Sequence, residues 1–415
     1  MATHEPTLMT PVQPDERILV MDVLRGFALL GIWLMNIEGQ AGPLSASMSG
    51  LDPQLHGADR LVDWLVYVLV QGKFMTLFSL LFGMGFALML QRAQARGGSG
   101  TGLYARRLLV LLGFGLVHAL LVWAGDVLIA YSLVGLVLLL GFRNTPVQRL
   151  PKWAIGLLLA MVMLVVGGGL AMHAAAASPE GQELLREQAR LAQATLADQR
   201  QAYGEGSFAQ ATAQRASDTA QMLGGLPFFG AMVLAMFLLG AWFVRSGVMR
   251  DTGAHLPLFR RLLWLGWLVG LPLMLLPALL HPTVDLYRMD LASMLAQAAV
   301  MLAGVLMCLG YAAAIVLAMH RPRWRTRLAW LAPAGRMALT NYIAQSLIAT
   351  SVFYGYGLGW FEGLPRAWQP LFVLLLFALQ VAFSHWWLAR HRHGPLEWLW
   401  RVLTYGRRSL QPGAV

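Results

Sequence analysis

Long apolar runs alternate with short polar connections along almost the whole chain, and the runs have helical rather than period-two patterning. A membrane-crossing helix needs roughly 20 predominantly apolar residues. Ten such runs are present: 18–38, 66–90, 104–123, 127–142, 152–173, 226–244, 260–280, 293–319, 335–355 and 369–389. Aromatic residues mark many of their ends, among them Trp123, Trp153, Trp242, Tyr354, Trp360, Trp368 and Trp386. Indole and phenol rings prefer the headgroup level, so this placement fits an interfacial belt. A porin-like barrel is excluded, because its strands are alternating segments of about ten residues. The pattern predicts an all-α polytopic membrane protein of about ten transmembrane helices.

Composition agrees. Of 415 residues, 58% are hydrophobic and 12% charged, where a soluble chain has about a quarter charged. That excludes a soluble enzyme. The single cysteine, Cys308, sits within an apolar run and excludes a disulfide scaffold. The net charge of +11 does not imply nucleic acid, because it is distributed by topology. Arg17, the connections after spans two, four, six and eight, and the C-terminal tail hold 22 of the 31 Lys and Arg; the alternate connections hold 7. The positive-inside rule then places both termini in the cytoplasm. The lipid bilayer is the expected partner, and a homodimer is compatible with the sequence. The first apolar run follows a polar leader, Met1 to Arg17, and lacks a cleavage signature, so it reads as a retained span. The chain divides into helices one to five (1–173), an exposed Ala/Gln/Glu-rich helical excursion on the outer face (174–225), and helices six to ten with an amphipathic cytoplasmic tail (226–415). The tail carries Glu397 and Arg401 at i,i+4 spacing, which suits an ion pair. No internal repeat is visible, which counts against an inverted-repeat transporter.

Ionisable groups at membrane depth are costly and mark function by default. Asp22 and Arg25 are three residues apart in span one and share a helix face. They form either a structural pair or an anion site for a phosphate or carboxylate. Eleven residues on, about 16 Å along the axis, Asn36 presents an amide near the outer face. Lys73 lies on the outer side of span two and is either a snorkelling or a buried cation. Glycines 83 and 85 read as helix-packing positions. His118 lies one and a half turns before the outer end of span three and Asp126 caps the start of span four after a tight return, with Tyr131 following. A carboxylate beside an imidazole fixes its tautomer and raises its basicity, which suits a general base. The plainer alternative is an N-capping Asp and a His satisfied by a carbonyl. Asn341 and Gln345 share a face of span nine, behind Arg336, as interhelical glue or as a polar lining. No spacing of His or Cys suggests a metal site.

These segments together resemble one family. Asp22-Val23-Leu24-Arg25-Gly26-Phe27-Ala28-Leu29-Leu30-Gly31 through Asn36-Ile37 is similar to the opening of the YeiB-like bacterial membrane proteins (domain of unknown function four-eighteen). So are Lys73-Phe74 through Gly83, His118 with Gly125-Asp126 and Tyr131, Arg336-Met337-Ala338-Leu339-Thr340-Asn341-Tyr342 with Gln345-Ser346, and Gly394-Pro395-Leu396-Glu397-Trp398-Leu399-Trp400-Arg401. More distantly, the Arg25-x10-Asn36 helix resembles the first helix of multi-pass acyltransferases, including heparan-glucosaminide N-acetyltransferases. That resemblance implies an acyltransferase-like bundle which admits acyl-CoA from the cytoplasm and acylates an envelope acceptor. Many of those enzymes have His at the position of Asn36. The leading expectation is accordingly a membrane acyltransferase with no tightly bound cofactor and acyl-CoA as donor substrate. In it Arg25, with Arg106 and Arg107, holds donor phosphates, His118 oriented by Asp126 is the base, and Asn36 meets the oxyanion. Lys73, Tyr131, Arg336, Asn341 and Gln345 complete the candidate set. A small-solute exporter and a non-catalytic scaffold are the alternatives.

Overall fold

The structure is a computed structural model that describes residues 18–95, 100–281 and 291–406. The polar leader, Arg96, Arg288, Arg407 and Arg408, all used in the charge pattern, lie outside the described residues. Among the described residues every regular element is helical. In chain order the helices are α1 (Leu19–Ala41), α2 (Gly57–Leu69), α3 (Lys73–Ala95), α4 (Thr101–Leu121), α5 (Leu128–Val137), α6 (Leu150–Ala175), α7 (Pro179–Gln199), α8 (Phe208–Gly224), α9 (Leu226–Arg245), α10 (Leu256–Leu265), α11 (Leu271–Leu280), α12 (Leu291–Met319), α13 (Pro322–Ala329), α14 (Ala332–Arg336), α15 (Ala338–Phe353), α16 (Gln369–Leu388) and α17 (Pro395–Tyr405).

Among the described residues eight helical stretches are long and apolar enough to cross a membrane. They are α1, the broken α2–α3 pair, α4, α6, α9, the continuous α10–α11 stretch, α12 and α16. The fourth and ninth expected spans are shorter: Leu128–Phe142, which is α5 and the wide turn after it, and the 16 residues of α15. The reason is local. A backbone end inside a bilayer must be satisfied by protein, and here it is. Asp126 Oδ1 accepts from the Ile129 amide at the start of α5, and Glu397 accepts from the Leu339 and Thr340 amides at the start of α15. Capped ends need not reach the headgroups, so apolar length overstates the thickness that these two helices cross.

The core is formed where α1, α3, α9, α12 and α15 meet, and it is built from fully buried Leu, Met, Phe and Trp such as Leu24, Leu29, Trp33, Leu77 and Phe237. Large exposed side chains on α6 and α16, including Met163, Leu164, Leu375 and Leu379, face outward as a lipid-contacting surface requires. Close helix approach depends on missing side chains. A Cβ at Gly83 would lie 2.2 Å from the Phe237 carbonyl oxygen, which is how α3 packs directly on α9.

The segment between α6 and α9 folds back over the bundle. Most of α7 and of α8 is exposed, as the polar composition predicts, but α8 buries Ala211, Arg215, Asp218 and Thr219, and the turn before it buries Tyr203. Arg215 is fully buried and donates to the Leu120 carbonyl, Thr212 and Tyr356. Tyr203 donates to Asp218 at 2.5 Å. These contacts tie the segment to the end of α4 and to the loop after α15, so it acts as a cap on one end of the bundle. Sequence reading missed this because one buried arginine holds the cap, and no apolar stripe does.

Candidate functional site

A cavity of about 310 Å³ enters the bundle from the end that carries the arginine-rich connections. Its α1 wall runs from Ile18 to Ile32, fourteen residues or about 21 Å of helix. Arg25, Arg92, Arg107, Arg336, Arg392 and Arg401 line it, with Asp22 and Glu397 as the carboxylates among the lining residues. Beyond this charged mouth the wall is apolar: Phe78, Leu81, Phe82, Phe86 and Met89 from α3 face Leu108 and Leu111 from α4. The blind end is closed by Val127, Tyr131 and Tyr342.

The mouth is assembled by a contact between two glycines. A Cβ on Gly335 would sit 1.9 Å from the Asp22 carbonyl oxygen, and one on Gly26 would sit 2.2 Å from that of Leu331. The short helix α14 therefore presses backbone against backbone into α1, and the residue beside each glycine, Arg25 and Arg336, reaches the same cavity. Arg25 pairs with Asp22 at 2.6 Å, so the pairing expected from the i,i+3 spacing is present.

The tail supplies the other wall. The Glu397 carboxylate reaches across to α15, where it accepts from the Leu339 and Thr340 amides at 2.7 and 3.1 Å and from the Thr340 hydroxyl at 2.6 Å. Burial pushes the Glu397 carboxyl above its ordinary range, against the downward pull of these bonds. Beyond the i,i+4 spacing to Arg401, the carboxylate caps a helix. Gly394 makes room, since a Cβ there would meet the carboxylate at 2.2 Å. Trp400 donates to the Arg107 carbonyl at 3.0 Å and lies beneath its guanidinium at 3.9 Å. The signal for this docking was the Gly-Pro-Leu-Glu-Trp run, which an amphipathic reading assigns to the membrane interface alone.

Behind the blind end, His118 Nδ1 lies 2.8 Å from Asp126 Oδ2. Both side chains are essentially inaccessible. His118 Nε2 has no partner among the described residues. The return from α4 to α5 is held by Trp123, which donates to the Gly39 carbonyl of α1. His118 does not itself line the cavity. The Tyr342 ring stands between, with its centroid 5.1 Å from the imidazole, and sequence reasoning had passed over it as part of a motif.

Other candidates are dispersed. Tyr131 lines the cavity, but its hydroxyl is bonded to Ser79 and the Met75 carbonyl. Arg106 is exposed beside the mouth and outside the wall. Asn36 is half-buried on α1, one turn beyond Ile32 and outside the cavity wall. Lys73 is fully buried and donates to the Tyr67 carbonyl at 2.9 Å, away from the cavity. Asn341 bonds Ser384 and the Ala334 carbonyl, and Gln345 bonds Gln380, so both join α15 to its neighbours. Among the described residues no group of His, Cys, Asp or Glu is arranged to hold a metal ion.

Packed apolar helices, an outward lipid-facing surface and a cavity entered from one end define a multi-pass membrane protein. The chain belongs to the YeiB-like family. Residues 243–407 match the family described as "Protein of unknown function (DUF418)". The chain is 33% identical to "Uncharacterized protein YxaH" of Bacillus subtilis (strain 168), over 98% of this chain and 97% of that protein. It is 34% identical to "Uncharacterized protein YeiB" of Escherichia coli (strain K12), over 94% and 96% respectively. It is 29% identical, over 96% and 97%, to "Uncharacterized 39.9 kDa protein in amylase 3'region" of Bacillus acidopullulyticus. No solved structure matches the chain.

Proposed function

We propose that the protein is an acyltransferase of the bacterial inner membrane that takes an acyl thioester, acyl-CoA, from the cytoplasm and acylates an acceptor delivered from the other side. The carrying observation is the cavity, which grades from six arginines to an apolar shaft and ends at Val127 and Tyr342, with the His118–Asp126 pair packed behind the Tyr342 ring. Guanidinium groups bind phosphate oxygens with charge-assisted bonds, so the nucleotide end of the donor sits at the mouth with Arg25, Arg107 and Arg336. Its thioester arm extends along the aromatic wall of α3. His118 Nε2 takes the proton of the acceptor hydroxyl or amine, the acceptor attacks the thioester carbonyl, and the carbon–sulfur bond breaks. Coenzyme A leaves as the thiol with that proton. Asp126 holds the imidazole by Nδ1. A small-solute exporter is the second reading, because a path open at one end and capped at the other is also one state of an alternating-access carrier.

Titration of the purified protein separates the two. Palmitoyl-CoA should bind more tightly than coenzyme A or palmitate alone, and the Asp22→Asn/Arg25→Gln double variant should weaken it about tenfold, the value of one charge-assisted bond. Palmitoyl-CoA binding no tighter than palmitate would end the donor assignment. His118→Gln should insert normally yet fail to complement a deletion strain; full complementation would remove His118 from the chemistry.

Orientation has its own check. The charge pattern puts residues 98 and 328 in the cytoplasm and residue 200 outside. A reporter that is active only after export should work at 200 alone, and activity at 98 or 328 would reverse the assignment.

A further inference from the structure

The acyl-transfer reading needs a donor for the charge that develops on the carbonyl oxygen, and the residue that the sequence offered, Asn36, stands outside the cavity wall. We propose that the Tyr342 hydroxyl, supported by the Val127 amide, is the carbonyl-oxygen site at the blind end, and that it takes the thioester carbonyl of a bound acyl donor. This rests on the acyl-donor reading of the cavity.

Three observations converge. Tyr342 and Val127 both belong to the cavity wall. The Val127 N–H donates to the Tyr342 oxygen at 3.4 Å, and the Tyr342 hydroxyl donates to no described residue, so its proton is left for a ligand oxygen. The imidazole that carries an unpartnered, fully buried Nε2 stacks at a tilt on the same ring, 5.1 Å away centre to centre. The hydroxyl at the blind end and the imidazole behind it thus sit on neighbouring rings and supply the two functions that attack on a carbonyl requires: a fixed hydrogen bond to the oxygen, and a proton acceptor for the nucleophile.

The local sequence explains why the hydroxyl is held there. Tyr342 lies one turn into α15, whose first amides are capped by Glu397 and whose Asn341 is bonded to Ser384. The helix therefore cannot turn to carry the phenol elsewhere. Val127 precedes α5, and its amide falls in the return that also positions Asp126. An amide that already points at the phenol oxygen withdraws electron density from it and strengthens its remaining donor proton.

The test is spectroscopic and independent of the unknown acceptor. Palmitoyl-CoA labelled with carbon-13 at the thioester carbonyl is bound to the detergent-purified protein, and its carbonyl stretch is read by isotope-edited infrared difference. The expected result is a band lowered from its solution frequency in the wild type. In Tyr342→Phe, which keeps the ring and its packing, affinity falls by no more than about tenfold, the value of one neutral hydrogen bond, and at saturating ligand the band returns towards that frequency. Coincident bands in the two proteins would overturn the carbonyl site and leave the donor reading standing. Absence of binding to the wild type would overturn both.

Discussion

A Gly335→Val variant is expected not to accumulate as folded protein. The added Cβ would lie 1.9 Å from the Asp22 carbonyl oxygen and 2.8 Å from the Gly26 amide nitrogen. Both neighbours are backbone atoms in the first turns of α1, and neither can move aside by changing rotamer. Overpacking a core ordinarily costs about 1–3 kcal/mol when side chains can adjust; here α14 must leave α1, which would also separate Arg25 from Arg336 at the mouth. Gly156→Ala is the control. It lies in α6 with open space at its Cβ position, and replacing glycine within a helix gains up to about 1 kcal/mol. Membrane-fraction yield and thermal unfolding in detergent measure both. A Gly335→Val protein that melts with the wild type would mean that the α1–α14 approach is not as close as described.

Arg366→Met should be nearly as damaging, for an electrostatic reason. Arg366 is buried at the end of the bundle opposite the cavity mouth, where it holds Glu38 at 2.8 Å, Asp63 at 3.0 Å and Gln369 at 2.7 Å. Removing it leaves two carboxylates facing each other with little water, a loss of about 3–5 kcal/mol for a broken buried pair. Neutralising them as well, in Glu38→Gln/Asp63→Asn/Arg366→Met, should recover most of the stability, since the penalty comes from stranded charge rather than from a missing attraction. Equal melting temperatures for the single and triple variants would contradict this. In the charge pattern Arg366 counted only as a loop residue, and Glu38 and Asp63 drew no attention as a pair. They lie 328 and 303 residues from the Arg366 that makes them a cluster, and sequence spacing carries no information at such separations.

Local separation decided which parts of the site could be read in advance. Asp22–Arg25 and His118–Asp126 are three and eight residues apart, one within a helix and one across a tight return, and both meet as their spacing implied. Asn341 and Gln345 were recognised as sharing a face, but which neighbours they meet was open until Ser384 and Gln380 were placed against them. Lys73 was ambiguous between a snorkelling and a buried cation; the break at Gly72 turns it inward to the Tyr67 carbonyl. Tyr342 was invisible as a candidate because a tyrosine in an apolar helix has many uses. Only its position between the cavity and His118 singles it out.

The sequence by itself determined that this is a polytopic helical membrane protein, where most of its spans fall, and which short-range polar pairs form. Apolar content, helical period and short return loops are local quantities, and the bilayer imposes one thickness on all of them. The tertiary structure decided what the long-range contacts build: the glycine-to-glycine approach that sets two arginines in one mouth, the tail carboxylate that caps α15 and closes a wall, and the buried Arg215 that seats the cap. Each depends on backbone shape and on an atom missing or supplied from tens to hundreds of residues away, and so on packing, which no short window along the chain contains.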